Sequence, residues 1–199
     1  MTITTDMIKE LRQATGAGVL DCRNALQECE GDVERAMALL HAKGLASAEK
    51  KMDRVANEGI IGAYVHTGSK MAALVELNCE TDFVARTSEF QELAHELAMQ
   101  VVATRPRWLR PEDIPASVVE VEREQYRKQA LEEGKVEHII DRIVEGRMEK
   151  FFDQFCLMRQ PYIRDEDLTI EELVRRKIAR LGENVVVRRF ARLEVGAEE

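Results

Sequence analysis

The spacing of apolar side chains changes twice along the chain, from a helical period to an alternating one and back. Residues 1–45 carry three short runs at helical spacing, separated by turns at Gly16-Ala17-Gly18 and Gly31-Asp32. The first turn contains two glycines, which stop a helix and allow the chain to reverse. The pattern predicts three short helices that form a small bundle, with Asp32 as the cap of the third.

Alternation of apolar and polar residues then predicts a hairpin. Gly59–His66 and Lys70–Cys79 are the expected strands, and Thr67-Gly68-Ser69 supplies the turn between them. The second strand has an apolar face made of Ala73, Val75, Leu77 and Cys79. The same alternation returns over Val185–Val195, which predicts a third, half-buried strand. Its expected inward face is Val185, Val187, Ala191, Leu193 and Val195.

Helical spacing fills the rest of the chain, and the combination predicts an α+β fold. Helices are expected from Ser88, from Ser117, over 136–155 and from Thr169 to Gly182, with a proline-rich loop over Arg105–Pro115. Few strands separated by helices indicate helices packed on a small antiparallel sheet. The expected parts are a three-helix domain over 1–45, a helical linker over 46–57 and an α+β core domain over 58–199.

Composition and charge narrow the classes of partner. Acidic residues number 37 and basic residues 29, so the formal net charge is −8. Sequence-independent nucleic-acid binding needs clustered basic side chains, so direct binding of nucleic acid is not expected. No apolar run approaches the ~18 residues of a membrane span, and Met1–Lys9 lacks the pattern of a signal peptide, so no membrane association is expected. The four cysteines (Cys22, Cys29, Cys79 and Cys156) form no C-x-x-C pair and favour a reducing, cytoplasmic location.

Motifs for cofactor binding or covalent catalysis are missing from the sequence. There is no G-x-x-x-x-G-K-[ST] phosphate loop, and Gly16-Ala17-Gly18 follows a predicted helix rather than the strand that a dinucleotide fingerprint requires. Cys79 and His66 allow two interpretations. They are a catalytic pair across the hairpin, or Cys79 packs inward and His66 is a polar residue at the turn. We expect no cofactor, no metal site and no enzymatic activity.

Four segments of the chain resemble motifs of the elongation factor Ts family. They are Leu11–Gly18 with Asp21-Cys22, Asn78–Arg86 (N-C-x-T-D-F-V-A-[RK]), Glu145–Met148 (E-G-R-[ML]) and Gly182-Glu183-Asn184 with Val187-Arg188-Arg189 (G-E-N…R-R). The four matches occur in order and extend over nearly the whole chain. The length is similar to that of the short form of the family, which has one core module.

The resemblance implies a guanine-nucleotide exchange factor of protein biosynthesis. Such a protein binds elongation factor Tu, a GTPase of translation, dislodges its Mg²⁺ and promotes release of GDP. The family's N-terminal domain is similar to ubiquitin-associated domains, which implies a ubiquitin-associated-like bundle for residues 1–45. Short members are expected to act as homodimers through their core sheets.

Within the central motif, the resemblance assigns partner binding and Mg²⁺ displacement to Thr81, Asp82, Phe83 and Val84. Phe83 is the expected wedge that enters a pocket on the GTPase, since an aromatic side chain is large and has few rotamers. The residue types alone leave a second interpretation open. Thr81-Asp82 is also an ordinary helix cap, and Phe83 is then a core aromatic beneath that turn.

The resemblance implies two further contacts with the GTPase. Val19, Leu20 and Arg23 lie where family members often carry Met-Met and Lys, in a region that meets the nucleotide-binding domain. His66 matches a family position near the partner. The residues themselves equally allow Val19 and Leu20 to pack inside the bundle and His66 to be a polar edge residue.

Two other classes of function compete with nucleotide exchange. An adaptor that recruits a ubiquitin-like protein or a peptide would need only residues 1–45. A small enzyme that uses the thiol of Cys79 would be active without any partner protein, and alkylation of the thiol would abolish that activity. Neither alternative accounts for the Thr81–Val84 segment.

Overall fold

A computed structural model describes residues 3–197, and within this range it contains eight α-helices and five strands. The helices are α1 (Thr5–Thr15), α2 (Val19–Glu28), α3 (Val33–Glu49), α4 (Asp82–Ala85), α5 (Ser88–Thr104), α6 (Ala116–Glu132), α7 (Glu137–Phe155) and α8 (Ile170–Leu181). The strands are β1 (Glu58–Val65), β2 (Met71–Cys79), β3 (Pro161–Tyr162), β4 (Asp165–Thr169) and β5 (Val185–Glu194). The predicted α+β fold is confirmed.

The chain forms two compact units, each assembled from separate stretches of sequence. The first comprises residues up to Gly59 with 78–87 and 172–186, and the second comprises 60–77, 88–171 and residues from Val187 onward. The domain boundaries at residues 45 and 57 stay a prediction. No helix within residues 3–197 is long and apolar enough to cross a membrane.

The N-terminal three-helix bundle lies in the first unit. Helix α1 is capped at its start by Thr4, whose hydroxyl accepts a hydrogen bond from the backbone N–H of Met7, and at its end by Gly16 with φ of 72°. Asp32 caps α3 as predicted by accepting from the N–H of Arg35 at 3.0 Å. The buried side chains of the bundle are Leu11, Cys22, Ala25, Leu26, Cys29, Ala36 and Leu40.

Strands β1, β2 and β5 form an antiparallel sheet in the order β1-β2-β5. The predicted inward face of β2 is confirmed, because Ala73, Val75, Leu77 and Cys79 are at most 2% exposed. In the second unit, β1 comes very close to α5 at Gly62. A Cβ atom on Gly62 would lie 2.5 Å from the carbonyl oxygen of Ala94, so only glycine fits there without displacing backbone.

The predicted inward face of β5 is right for its first half and wrong for its second. Val185 and Val187 are buried, whereas Leu193 is 74% exposed. Arg188 and Arg189 are both exposed, and after them the more buried positions are the even-numbered ones. A break of one residue in a strand turns every later side chain to the opposite face. Ala191, Leu193 and Val195 are therefore all exposed.

The predicted helical linker over 46–57 is helical only as far as Glu49. Residues 50–53 form turns, and Arg54 is a bend. The cause is a long-range contact, since the side-chain amide of Asn184 donates to the backbone carbonyls of Met52 (3.0 Å) and Arg54 (2.7 Å). The alanine and lysine content of the segment favours a helix, but a buried amide that needs acceptors fixes another conformation.

The small β3–β4 hairpin, in the second unit, has no counterpart in the sequence prediction. It is held by Gln100 of α5, which is fully buried. The Gln100 amide donates to the carbonyl of Pro161 at 3.0 Å and accepts from the N–H of Ile163 at 3.0 Å. Because the anchoring side chain lies about 60 residues earlier, no local pattern reveals the hairpin.

Helices α6 and α7 form an antiparallel pair joined by ion pairs in the second unit. Arg123 pairs with Glu145, Arg127 with Asp141, and Arg147 with Glu133. Beneath these pairs lie Ala130, Ile140, Val144, Met148 and Phe151. Exposed ion pairs add little each, so apolar burial is the main stabilising contribution to this helical hairpin.

Candidate partner-binding site

The segment Thr81–Val84 forms a sharp corner between the end of β2 and the start of α5. Thr81 has extended backbone angles, and its hydroxyl accepts from the N–H of Val84, so it is the N-cap of the four-residue helix α4. The Thr87 hydroxyl closes the other end of α4 by donating to the carbonyl of Val84 at 2.7 Å. The cap interpretation of Thr81 is therefore correct.

Phe83 points away from the protein at this corner. It is 82% exposed, more than any other large apolar side chain among residues 3–197. The interpretation of Phe83 as a core aromatic is wrong, because α4 turns Ala85 inward and Phe83 outward. Asp82 is also exposed, and its carboxylate pairs with Arg86 at 2.8 Å along the surface of the turn.

The backbone of the corner is held by the carboxylate of Glu183, which follows α8. One oxygen, Oε2, accepts from the backbone N–H groups of Glu80 (3.1 Å) and Thr81 (3.0 Å). The other, Oε1, accepts from the hydroxyl of Thr81 at 2.6 Å. A charged acceptor strengthens each of these bonds relative to a neutral one.

The next residue, Asn184, ties the same corner to the chain that follows α3. Its backbone N–H donates to the carboxylate of Glu80 at 2.7 Å, and its side chain holds Met52 and Arg54 as described above. The guanidinium of Arg54 lies 3.5 Å from the Glu80 carboxylate. Asn184 is only 2% exposed, so its side-chain amide is shielded from water, whereas Arg54 and Thr81 are at the surface.

Cys79 lies directly beneath the corner and is fully buried. Its thiol donates to the carbonyl of Thr81 at 3.1 Å. Burial, with a smaller contribution from the charge of Glu183, raises the pKa of the Cys79 thiol to about 11. The thiol is therefore protonated near neutral pH, which does not suit the nucleophile of a Cys79 enzyme.

Val19 and Leu20 lie at the start of α2, where they are 54% and 66% exposed. The interpretation that they pack inside the bundle is wrong, because α2 turns Cys22, Ala25 and Leu26 inward instead. Arg23, one turn further along, is exposed as well. Two apolar side chains and one cation thus form a small exposed patch, which we call the α2 patch.

His66 lies in the second unit, at the end of β1. It is exposed, and its Nδ1 atom is 3.1 Å from the hydroxyl of Tyr64. Tyr64 in turn contacts the ring of His95 edge to face, with 5.5 Å between ring centroids. Within residues 3–197, no group of three or more His, Cys, Asp or Glu side chains could hold a metal ion.

The sequence prediction singled out the exposed corner but not the residues that hold it. Glu183 and Asn184 lie in the Gly182-Glu183-Asn184 segment that resembles a family motif, and they follow Gly182, which ends α8 with φ of 79°, but the sequence does not show that they contact the corner. The structure brings 182–184 against 78–82, so the second and fourth resembling motifs form one cluster. The molecule is an α+β protein that presents an aromatic side chain on a corner fixed from several sides.

Comparison with known proteins is consistent with this arrangement. The family model described as Elongation factor TS matches residues 47–197. Elongation factor Ts of Thermotoga neapolitana is 54% identical over 198 residues, which cover all of both chains. Elongation factor Ts of Carboxydothermus hydrogenoformans is 52% identical over 194 residues, which cover 98% of this chain and 89% of that protein.

The chain belongs to the elongation factor Ts family. Its role is therefore nucleotide exchange in translation elongation. The predicted family is confirmed.

Proposed function

We propose that this protein binds elongation factor Tu and accelerates release of its GDP, with Thr81–Val84 as the contact that displaces Mg²⁺. The observation that carries this proposal is the 82% exposure of Phe83 on a corner whose backbone N–H groups are held by the carboxylate of Glu183. An exposed aromatic side chain on a rigid support is suited to act as an anchor that fills a pocket in a partner.

The four cysteines are buried and free, which supports the reducing cytoplasm as the location of this protein.

Exchange of this kind requires no change in covalent bonds. The factor must bind the nucleotide-free GTPase more tightly than the nucleotide-bound form. Thermodynamic linkage then requires that the factor weaken nucleotide binding by the same ratio. Because Mg²⁺ demands nearly ideal octahedral geometry, a small displacement of its ligands weakens both the ion and the phosphates it bridges. Phe83 supplies the volume for such a displacement, and Asp82 places a negative charge beside it.

The direct test is release of fluorescent GDP from purified elongation factor Tu, measured with and without this protein at several concentrations. The expected result is a release rate that rises with factor concentration and then saturates. Excess Mg²⁺ should lower the rate at a fixed factor concentration. A release rate that does not change with factor concentration would refute the proposed function.

The α2 patch is proposed as a second contact with the same GTPase. Because Val19 and Leu20 are exposed, replacing both with alanine should leave thermal unfolding unchanged. The double variant should reduce exchange efficiency about fivefold, equivalent to about 1 kcal/mol, as expected for a contact outside the main anchor. The rate is measured below saturation, where weaker binding is visible. An unchanged rate under these conditions would exclude the α2 patch as a contact with the GTPase and would favour the adaptor alternative for residues 1–45.

His66 is proposed as a further, polar contact with the GTPase, and its effect on the exchange rate is expected to be smaller.

A homodimer formed through the outer face of the sheet is also proposed. Three outward side chains of the second unit support it: Ile61, Leu74 and Leu193 are 58%, 51% and 74% exposed. Burying such side chains contributes about 1.5–3 kcal/mol each, so Leu193→Arg should raise the dissociation constant at least ~tenfold. Sedimentation velocity measures the change. A parent chain that sediments as a monomer would exclude the dimer, and an unchanged dimer in the variant would exclude this face.

A further inference from the structure

We infer that Glu183 is a positioning residue for nucleotide exchange, because its carboxylate fixes the corner from which Phe83 projects. This inference rests on the proposed function of Thr81–Val84. It assigns a task to a side chain that does not itself need to touch the partner.

The two carboxylate oxygens of Glu183 have different tasks. Oε2 accepts both consecutive backbone N–H groups, from Glu80 and Thr81, at 3.1 and 3.0 Å. Oε1 accepts a hydrogen bond from the hydroxyl of Thr81 at 2.6 Å. With its proton directed to Glu183, the Thr81 oxygen presents its lone pairs to the N–H of Val84, 3.5 Å away. Glu183 thus sets the hydroxyl rotamer that begins α4.

Helix α4 depends on this external support. It has only four residues, Asp82–Ala85, and a helix that short has almost no internal hydrogen-bond ladder to stabilise it. Apart from the ion pair of Asp82 with Arg86, the contacts described at its start are those made through Thr81. Without Glu183, the direction of Phe83 would be set by a loop that samples several conformations.

Glu183 is itself firmly anchored. The N–H of the following residue, Asn184, donates to the Glu80 carboxylate at 2.7 Å, while the Glu80 N–H donates back to Glu183. This reciprocal pair joins segments more than 100 residues apart in sequence. The buried side chain of Asn184 holds the same turn from the other side. An anchored carboxylate can restrict a corner, whereas one on a mobile side chain could not.

The experiment compares the parent with Glu183→Gln, Glu183→Ala, Phe83→Ala and the double variant Phe83→Ala/Glu183→Ala in the GDP-release assay. Glu183→Ala should reduce exchange efficiency about tenfold, since only a fraction of the molecules then present Phe83 in the binding geometry. Glu183→Gln should lie between parent and Glu183→Ala. The amide oxygen of the introduced glutamine can still accept hydrogen bonds from the two backbone N–H groups, but its NH₂ group cannot accept a hydrogen bond from the Thr81 hydroxyl.

Non-additivity distinguishes positioning from a general structural role. If Glu183 acts through Phe83, then removing it from a chain that already lacks Phe83 should change the rate by less than about twofold. Glu149→Gln is the matched control, because Glu149 also accepts a short ion-pair bond, from Arg159 at 2.6 Å. That bond lies in the second unit, and the control should exchange at the parent rate.

Hydrogen exchange of backbone amides provides a readout that does not depend on the partner. In the isolated full chain, Glu183→Ala should accelerate exchange of the Glu80 and Thr81 amides at least ~tenfold, with the amides of α5 unchanged. Parent-like protection of these two amides would overturn the inference. A loss of exchange activity that multiplies with that of Phe83→Ala would overturn it as well.

The outcomes separate the two claims. If Phe83→Ala slows GDP release but Glu183→Ala does not, the positioning role is wrong and the proposed function stands. If Phe83→Ala itself exchanges at the parent rate, the proposed role of the corner fails and the positioning role fails with it.

Discussion

Replacing Phe83 with alanine is expected to leave the fold intact and to slow nucleotide exchange about 30-fold, equivalent to about 2 kcal/mol. The fold should survive because the side chain is 82% exposed and contributes little burial. The exchange rate should fall because a rigid aromatic anchor is removed while the Thr81 cap beneath it stays in place. The measurement is the rate of fluorescent GDP release from elongation factor Tu, with thermal unfolding of the same samples as the test of folding.

Val121→Ala is a suitable comparison for this variant. Val121 lies on α6 and is 61% exposed. Its replacement therefore also removes an apolar side chain from the surface, but away from the corner. It should exchange at the parent rate if the loss in Phe83→Ala is specific to the corner. Equal rates for Phe83→Ala and the parent would contradict the assignment of Thr81–Val84.

Replacing Gly62 with alanine is expected to destabilise the protein by about 3 kcal/mol, which for a chain of this size lowers the unfolding temperature by roughly 6–12 °C. The added methyl group would lie 2.5 Å from the carbonyl oxygen and 2.8 Å from the Cβ of Ala94. The first of these neighbours is backbone of α5, so the helix and the strand must move apart. Calorimetric unfolding measures the change.

The same substitution at Gly146 should have the opposite sign. Gly146 lies within α7, is exposed and has nothing within 4 Å of the position its Cβ would take. Alanine there should stabilise the helix by about 0.5–1 kcal/mol, because glycine loses more backbone entropy on folding. If both variants shift in the same direction, the close approach at Gly62 is not the cause.

Local patterns predict most of the fold because each of these elements is amphipathic and buries one apolar face. The inward positions of β2 and the cap of α3 at Asp32 could be predicted from spacing and residue type alone. The second half of β5 could not, since two successive exposed arginines reverse the alternation without any glycine or proline to mark the break. The linker over 46–57 was predicted from its composition, but the conformation of residues 50–54 depends on Asn184.

The candidate site divides in the same way. The exposed corner could be identified from the residues Thr81–Val84 through their resemblance to a family motif. Glu183 and Asn184 also lie in a segment that resembles a family motif, but their contact with the corner could not be predicted, because they are about 100 residues away in sequence. A contact of this kind depends on how the chain returns after α8, and no periodicity in the sequence carries that information.

The contacts of Asn184 have a practical consequence for dissecting the molecule. A shortened chain that starts near residue 46 loses the N-terminal helices but keeps the carbonyls of Met52 and Arg54. A chain that starts at residue 58 lacks both of these carbonyls, so the buried side-chain amide of Asn184, which is 2% exposed, loses both hydrogen-bond acceptors. Of these two truncations, only the first keeps the acceptors of Asn184, and the few residues between the two starting points decide how such an experiment can be interpreted.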